Sequence, residues 1–119
     1  MKAEHIVGTA DSIAPGEHRV VEVAGRQIGI FNIDGSFYAL PNACFHQNGP
    51  LCRGKLSGTL QADEESSFQT EWRLDGEVII CPWHSLEFHV KTGQSLAYPE
   101  RRLPTYEVRV EDGSLRIAV

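Results

Sequence analysis

The sequence lacks any apolar run close to the roughly 20 residues that a transmembrane helix needs. Its beginning also lacks the apolar stretch of a secretion signal, because Lys2, Glu4 and His5 interrupt it. A basic excess is absent as well. The formal net charge is −5, whereas binding to nucleic acid depends on Lys and Arg that neutralise phosphates. We therefore expect a cytoplasmic protein that binds neither a membrane nor nucleic acid.

The chain offers little room for more than one domain, since it has 119 residues. Hydrophobic residues make up 41% and charged residues 23%, which is typical of a globular protein and excludes a disordered one. We expect a single domain over residues 1–119. A catalytic domain attached to a cofactor domain would not fit, so we expect no catalysis by the chain on its own. We also expect a monomer.

Cysteine is scarce, with only Cys44, Cys52 and Cys81. An odd number of cysteines without a secretion signal is a poor basis for a disulfide framework. We expect reduced thiols, which leaves open which of them bind a metal.

Sustained helical periodicity is also missing, and short alternating segments separated by turns take its place. Asp-Gly pairs favour two-residue hairpin turns because both positions of such turns need positive φ. The sequence therefore predicts an all-β domain of antiparallel sheets with a strand at Val20–Val23 and three Asp-Gly hairpins. These hairpins would join 27–33 to 36–40, 68–74 to 77–80, and 106–111 to 114–119.

Two segments do not fit the strand pattern, residues 42–56 and 81–93. The first is rich in Gly, Pro, Asn and Cys, and the second begins with Cys-Pro, so both are predicted as loops.

The segment from Gln61 to Glu77 has six acidic residues and one basic residue. The formal charge of this segment therefore equals the net charge of the whole chain. Two readings remain open: a solvated surface loop, or an electrostatic docking surface for a partner.

Each predicted loop contains one cysteine and one histidine close together, Cys44 with His46 and Cys81 with His84. A zinc ion accepts two Cys and two His, but zinc fingers usually group Cys with Cys and His with His. A binuclear iron cluster with two Cys on one iron and two His on the other accounts for the mixed loops directly. Cys52 is interpreted as a buried thiol in preference to a ligand.

The pattern Cys-x-His followed by Cys-Pro-x-His resembles the Rieske iron–sulfur proteins. The resemblance extends to Gly49-Pro50-Leu51, to Phe88, and to the C-terminal segment that includes Leu103-Pro104 and Asp112-Gly113. It implies a Rieske-type fold with a two-loop cluster-binding subdomain. It also implies one [2Fe–2S] cluster, with one iron held by Cys44 and Cys81 and the outer iron held by His46 and His84.

The resemblance further implies a soluble Rieske ferredoxin, an electron carrier between a reductase and an oxygenase or another oxidoreductase. A small Rieske-like subunit of an assimilatory nitrite reductase is a second hypothesis. A zinc-stabilised binding module without redox function is a third, from another class.

Three departures from other Rieske proteins are informative. High-potential members join their loops by a disulfide between two extra cysteines, and this sequence lacks that pair. They also carry a Ser and a Tyr that donate hydrogen bonds to cluster sulfurs, where this sequence has Leu86 and Phe88. The segment of about residues 59–77 is longer than in compact ferredoxins, so we expect it to form an added acidic hairpin.

Overall fold

The computed structural model describes residues 3–43, 50–62, 67, 69–82 and 86–119. Within these residues, nine strands form three antiparallel sheets of three strands each, and the only helical segments are the 3-10 turns Ala10–Ser12 and Leu51–Arg53. No helix in this described part is long and apolar enough to cross a membrane. The strands are β1 (Glu4–Thr9), β2 (His18–Val23), β3 (Arg26–Ile33), β4 (Ser36–Pro41), β5 (Lys55–Gln61), β6 (Glu71–Ile80), β7 (Glu87–His89), β8 (Val108–Glu111) and β9 (Ser114–Ala118).

The sheet of β2, β3 and β4 lies between the other two sheets. Side chains of β3 alternate between two hydrophobic clusters, because successive residues of a strand point to opposite faces. Ile28 and Ile30 pack with residues of β9, whereas Phe31 and Ile33 pack with residues of β6 and β7. This position explains why six consecutive residues at the end of β3 are buried.

Two of the three predicted Asp-Gly hairpins are confirmed. Asp34-Gly35 joins β3 to β4 with φ angles of 53° and 91°, and Asp112-Gly113 joins β8 to β9 with 51° and 77°. A turn with the same pair of positive φ angles joins β2 to β3 at Ala24-Gly25, and the sequence analysis missed it because Ala rarely adopts positive φ. Strand β1, which pairs with β9, was also not predicted.

The predicted hairpin at Asp75-Gly76 is wrong. Strand β6 continues through this pair and faces β5 on both sides of it, with Ser57 opposite Val78 and Thr59 opposite Arg73. Residues 74–77 therefore form a bulge opposite Gly58, with positive φ at Leu74 and Gly76. Bulges and hairpin turns use the same positive φ angles, so the dipeptide alone does not distinguish them.

The acidic segment lies along β5, β6 and their connection. The two strands pair as an antiparallel hairpin, and residues 63–66 and 68 of the connection lie outside the described residues. That this hairpin is an addition to the family's fold stays a prediction.

The two predicted loops are slightly longer than the loops in the structure, because β5 begins at Lys55 and β7 lies within residues 81–93.

Candidate metal centre

Of the four predicted ligands, the structure describes Cys81. Cys44, His46 and His84 lie outside the described residues, and so does Trp83. Within the described ranges, no group of three or more His, Cys, Asp or Glu side chains could hold a metal ion. The structure therefore describes the residues at the ends of the two loops and the surroundings of one predicted ligand, Cys81.

Cys81 lies directly after β6, where its side chain is only 1% exposed. Its backbone N–H donates a hydrogen bond to the carbonyl oxygen of Leu86, at 2.8 Å. This bond joins the two described residues nearest the ends of the second loop and so closes the loop at its base. The thiol belongs to the hydrophobic cluster that also contains Cys52 and Phe88. A buried thiol at the neck of a short loop is a suitable position for one ligand of a cluster.

The first loop is closed by the side chain of Asn42. Its Oδ1 accepts a hydrogen bond from the backbone N–H of Cys52 at 2.7 Å, which ties the two ends of the loop together. Asn42 is itself held by β3, because its N–H donates to the Gln27 carbonyl at 2.9 Å and its Nδ2 lies 3.1 Å from Gln27 Oε1. The segment 43–51, which carries Cys44 and His46, therefore leaves from a fixed base.

The bases of the two loops meet at Gly54. A Cβ atom built on this glycine would overlap the carbonyl oxygen and carbon of Ile80, the residue before Cys81. The next residue, Lys55, pairs with Ile80 in the sheet. The backbone that ends the first loop thus touches the backbone that begins the second. This contact fits a group that takes one thiolate and one imidazole from each loop, as a Rieske cluster does.

Cys52 is a buried thiol, as predicted. It is 1% exposed, and its Sγ lies 3.5 Å from the carbonyl oxygen of Pro41. Burial raises the pKa of this thiol from its ordinary 9.0 to about 12. Its neighbour Gly29 leaves no space for a Cβ, because that atom would overlap the Cys52 side chain.

The first testable prediction follows from this burial. Cys52 should remain unmodified when the folded protein is treated with iodoacetamide at pH 8, because the thiolate is the reactive form. Peptide mass spectrometry should find it alkylated only after unfolding, which serves as the positive control. Alkylation of Cys52 in the folded protein would contradict the assigned burial.

His18 supports the end of the first loop from a distant part of the chain. Its Nε2 lies 2.9 Å from the carbonyl oxygen of Cys52, and its ring stacks on buried Phe31 with 5.0 Å between ring centres. The contact spans 34 positions of the chain, so no local pattern could have indicated it. Together with Asn42, it holds both backbone polar groups of Cys52.

An open groove of about 720 Å³ runs beside Cys81 and Pro82. Among its lining residues are His18, Arg53 and Lys55.

His89 forms a hydrogen bond within the sheet of β5, β6 and β7. Its Nε2 lies 2.9 Å from Glu77 Oε1, and Lys91 Nζ lies 3.5 Å from the same oxygen. The hydrogen bond from His89 and the charge of Lys91 lower the pKa of Glu77 below its ordinary value. This ion-pair group links β6 to β7 and to the turn that follows it.

Comparison with protein families identifies the chain. The model of the Rieske [2Fe-2S] domain matches residues 3–107. The chain belongs to this family. The predicted family, the all-β antiparallel fold and a single Rieske-type [2Fe–2S] cluster are thereby confirmed.

Relatives of this Rieske protein include ferredoxin subunits of dioxygenases. The chain is 31% identical over 114 residues to the 3-phenylpropionate/cinnamic acid dioxygenase ferredoxin subunit of Photorhabdus laumondii, covering 95% of this chain and 91% of the relative. It is 30% identical to the biphenyl dioxygenase ferredoxin subunit of a Pseudomonas strain, covering 87% of this chain and 80% of the relative. These relatives favour an oxygenase ferredoxin over a nitrite reductase subunit.

Solved structures that are similar to this chain also include dioxygenase ferredoxins. One is a chain from a complex of reduced oxygenase and oxidized ferredoxin in carbazole 1,9a-dioxygenase, with a TM-score of 0.74, 28% identity and coverage of 97% of this chain and 92% of that one. Another is the ferredoxin of carbazole 1,9a-dioxygenase from Nocardioides aromaticivorans, with a TM-score of 0.72, 26% identity and coverage of 97% and 96%. The predicted role as a ferredoxin-type electron carrier is confirmed by this agreement.

Proposed function

We propose that this protein carries one electron at a time on its Rieske cluster from a reductase to a terminal oxygenase. The observation that carries the proposal is the match to dioxygenase ferredoxin subunits over nearly their whole length, 91% for the Photorhabdus relative. The whole chain, residues 1–119, would act as one Rieske domain. It would act in the cytoplasm as a monomer, with the oxygenase supplying the catalysis.

The ligands in this proposal are Cys44 and Cys81 on one iron and His46 and His84 on the other. Support comes from the buried thiol of Cys81 at the neck of the second loop. Further support comes from the contact at Gly54, which brings the base of the first loop against the base of the second. When bound, the cluster supplies the one-electron chemistry, while the chain's own residues fix the loops and exclude water from the thiol.

The function is tested by reconstitution. Protein purified without air should be red-brown and should contain iron and acid-labile sulfide in equal amounts. When combined with a purified reductase and its oxygenase, it should be required for substrate oxidation by the pair. A colourless protein that contains zinc would contradict the proposal, and so would an oxygenase that receives electrons equally well without it.

The reduction potential is the second testable prediction. Two neutral imidazoles replace two thiolates, which places Rieske centres between about −150 and +300 mV, against about −400 mV for plant-type ferredoxins. Hydrogen bonds to the cluster sulfurs raise the potential within that range, because they stabilise the more negative reduced state. Leu86 and Phe88 have no hydroxyl group to donate. We therefore expect roughly −150 mV, the bottom of the range.

Protein-film voltammetry near neutral pH checks this value. Leu86→Ser should raise the potential if the new hydroxyl reaches a sulfur, and it is the milder of two possible changes, since Leu86 is only partly buried. Phe88→Tyr would place a hydroxyl at a side chain that is 0% exposed and is the less suitable variant. A potential well above 0 mV for the unmodified protein would point to a high-potential role instead.

A further inference from the structure

The β5–β6 hairpin exposes two large apolar side chains next to each other. Leu60 lies opposite Trp72 in the antiparallel pair, which places both on the same face of the hairpin. Leu60 is 64% exposed and Trp72 is 53% exposed. Single exposed hydrophobic residues are ordinary on protein surfaces, whereas an adjacent pair that includes a tryptophan is typical of an interaction site.

The opposite face of the hairpin is anchored. Thr59 precedes Leu60 and therefore points the other way; it is 4% exposed, and its Oγ1 donates a hydrogen bond to Glu87 Oε1 at 2.8 Å. Glu87 belongs to β7, the neighbour of β6 on its other side. The face with Leu60 and Trp72 is thus the more exposed one at this level of the hairpin, because Thr59 on the other face is buried.

Trp72 is held in place before any partner binds. Its Nε1 donates a hydrogen bond to Asp75 Oδ1 at 2.9 Å. Its ring lies over Gly58, where a Cβ atom would come within 2.8 Å of the ring carbons. A side chain that is already ordered loses little conformational freedom on binding, so its contacts contribute more to affinity.

The hairpin that carries the pair is acidic. Asp75 is exposed and lies beside Trp72. Glu71 precedes Trp72 in β6 and therefore points to the other face, where it forms an ion pair with Arg73 at 3.3 Å. The sequence from Gln61 to Glu77 has six acidic residues and one basic residue. An apolar pair on an acidic hairpin is complementary to an apolar pocket on a basic surface and is repelled by an anionic membrane surface.

We propose that the outer face of the β5–β6 hairpin, formed by Leu60 and Trp72 with Asp75 beside them, docks a redox partner protein. The matching surface of that partner is an apolar pocket rimmed by lysine and arginine. The proposal rests on the proposed electron-transfer function and deepens it by naming the surface that the partner recognises.

The position of the face relative to the cluster end suits this role. Lys55 pairs with the residue before Cys81, and Leu60 lies five positions further along β5, which is about 17 Å. A standard interface covers about 800 Å² on each partner, or about 30 Å across. One partner can therefore contact the hairpin face and approach the cluster end at the same time.

The experiment measures electron transfer from a purified reductase to the oxidised protein, and from the reduced protein to a purified oxygenase. Trp72→Ala and Leu60→Ala should raise the KM for the protein about tenfold or more with at least one of the two enzymes, while kcat stays unchanged. Trp72→Phe should restore most of the affinity. Ile6→Ala is the matched control, because Ile6 is 61% exposed on a different sheet and its loss should change neither constant.

Charge is tested separately. Asp75→Asn, which keeps an oxygen for the hydrogen bond from Trp72 Nε1, should flatten the fall of kcat/KM with ionic strength, because exposed charges are screened beyond about 10 Å at 0.1 M salt. The cluster spectrum, reduction by dithionite and the melting temperature verify that each variant is intact.

Two results would overturn the proposal. One is an unchanged KM for both apolar variants with both enzymes, in a protein that still transfers electrons. The other is a sedimentation-velocity dimer of the unmodified protein that Trp72→Ala dissociates, which would assign the face to a second copy of the chain. Failure of the proposed function itself is distinguishable, because the unmodified protein would then transfer no electrons between the two enzymes.

Discussion

Cys81→Ala should give a colourless protein without iron or acid-labile sulfide. The thiol of Cys81 is the described member of the proposed ligand set, and a methyl group cannot replace a thiolate on iron. The loss should extend beyond the cluster, because a metal centre that organises two loops also contributes to folding. We expect a lower melting temperature and faster proteolysis within residues 82–85. Visible spectroscopy, iron analysis and limited proteolysis measure these effects.

Cys52→Ser is the matched control for that variant. Cys52 is as deeply buried as Cys81 and packs in the same hydrophobic cluster, but it is not in the proposed ligand set. Its replacement should leave the cluster spectrum unchanged and should lower stability only moderately, through the burial of a hydroxyl group. A bleached Cys52→Ser protein, or a coloured Cys81→Ala protein, would show that the ligands have been assigned wrongly.

Gly54→Ala should destabilise the protein by about 3 kcal/mol and lower its cluster content. The backbone of Gly54 has φ of −75° and ψ of −171°, which alanine adopts without strain. The expected cost is therefore steric. The new methyl group would overlap the backbone of Ile80, and backbone cannot rotate away as a side chain can. The two loop bases would have to separate, which displaces Lys55 from its pairing with Ile80.

Gly35→Ala provides the comparison for this steric effect. Gly35 has φ of +91°, but nothing lies within 4 Å of the position its Cβ would take. Its replacement should cost about 1–2 kcal/mol, from backbone strain alone, with full cluster occupancy. Urea unfolding measures the loss of stability in the two variants, and iron analysis measures their cluster content. Equal losses, or normal cluster content in Gly54→Ala, would mean that the contact between the loop bases does not support the centre.

The local part of the fold could be predicted from the sequence, because it depends on local chemistry. Asp34-Gly35 and Asp112-Gly113 are turns in which both residues need positive φ, and the flanking alternation fixed their strands. The same dipeptide at Asp75-Gly76 misled the prediction. Whether positive φ angles make a turn or a bulge depends on what pairs with the strand on either side. That information is held in β5 and β7, which are distant along the chain from each other.

In the candidate centre, too, features that depend on local sequence could be predicted, whereas those that depend on long-range contacts could not. The ligand pattern is a local spacing, so Cys44, His46, Cys81 and His84 could be proposed from the sequence together with the family resemblance. The supports of the loops are long-range contacts. His18 reaches Cys52 across 34 positions, and Asn42 reaches it across 10. Gly54 has no side chain to attract notice, and only the close approach of Ile80 reveals its role.

The pairing of β1 with β9 sets the order in which the chain can fold during synthesis. Glu4 pairs with Ala118, so this sheet closes only after residue 118 has left the ribosome. The strands that carry the two loops, from β3 to β7, are contiguous in the sequence and need no such wait. Contacts close in sequence form faster than distant ones, since less loop entropy is lost. The pairing of the strands that carry the two loops can therefore precede closure of the terminal sheet.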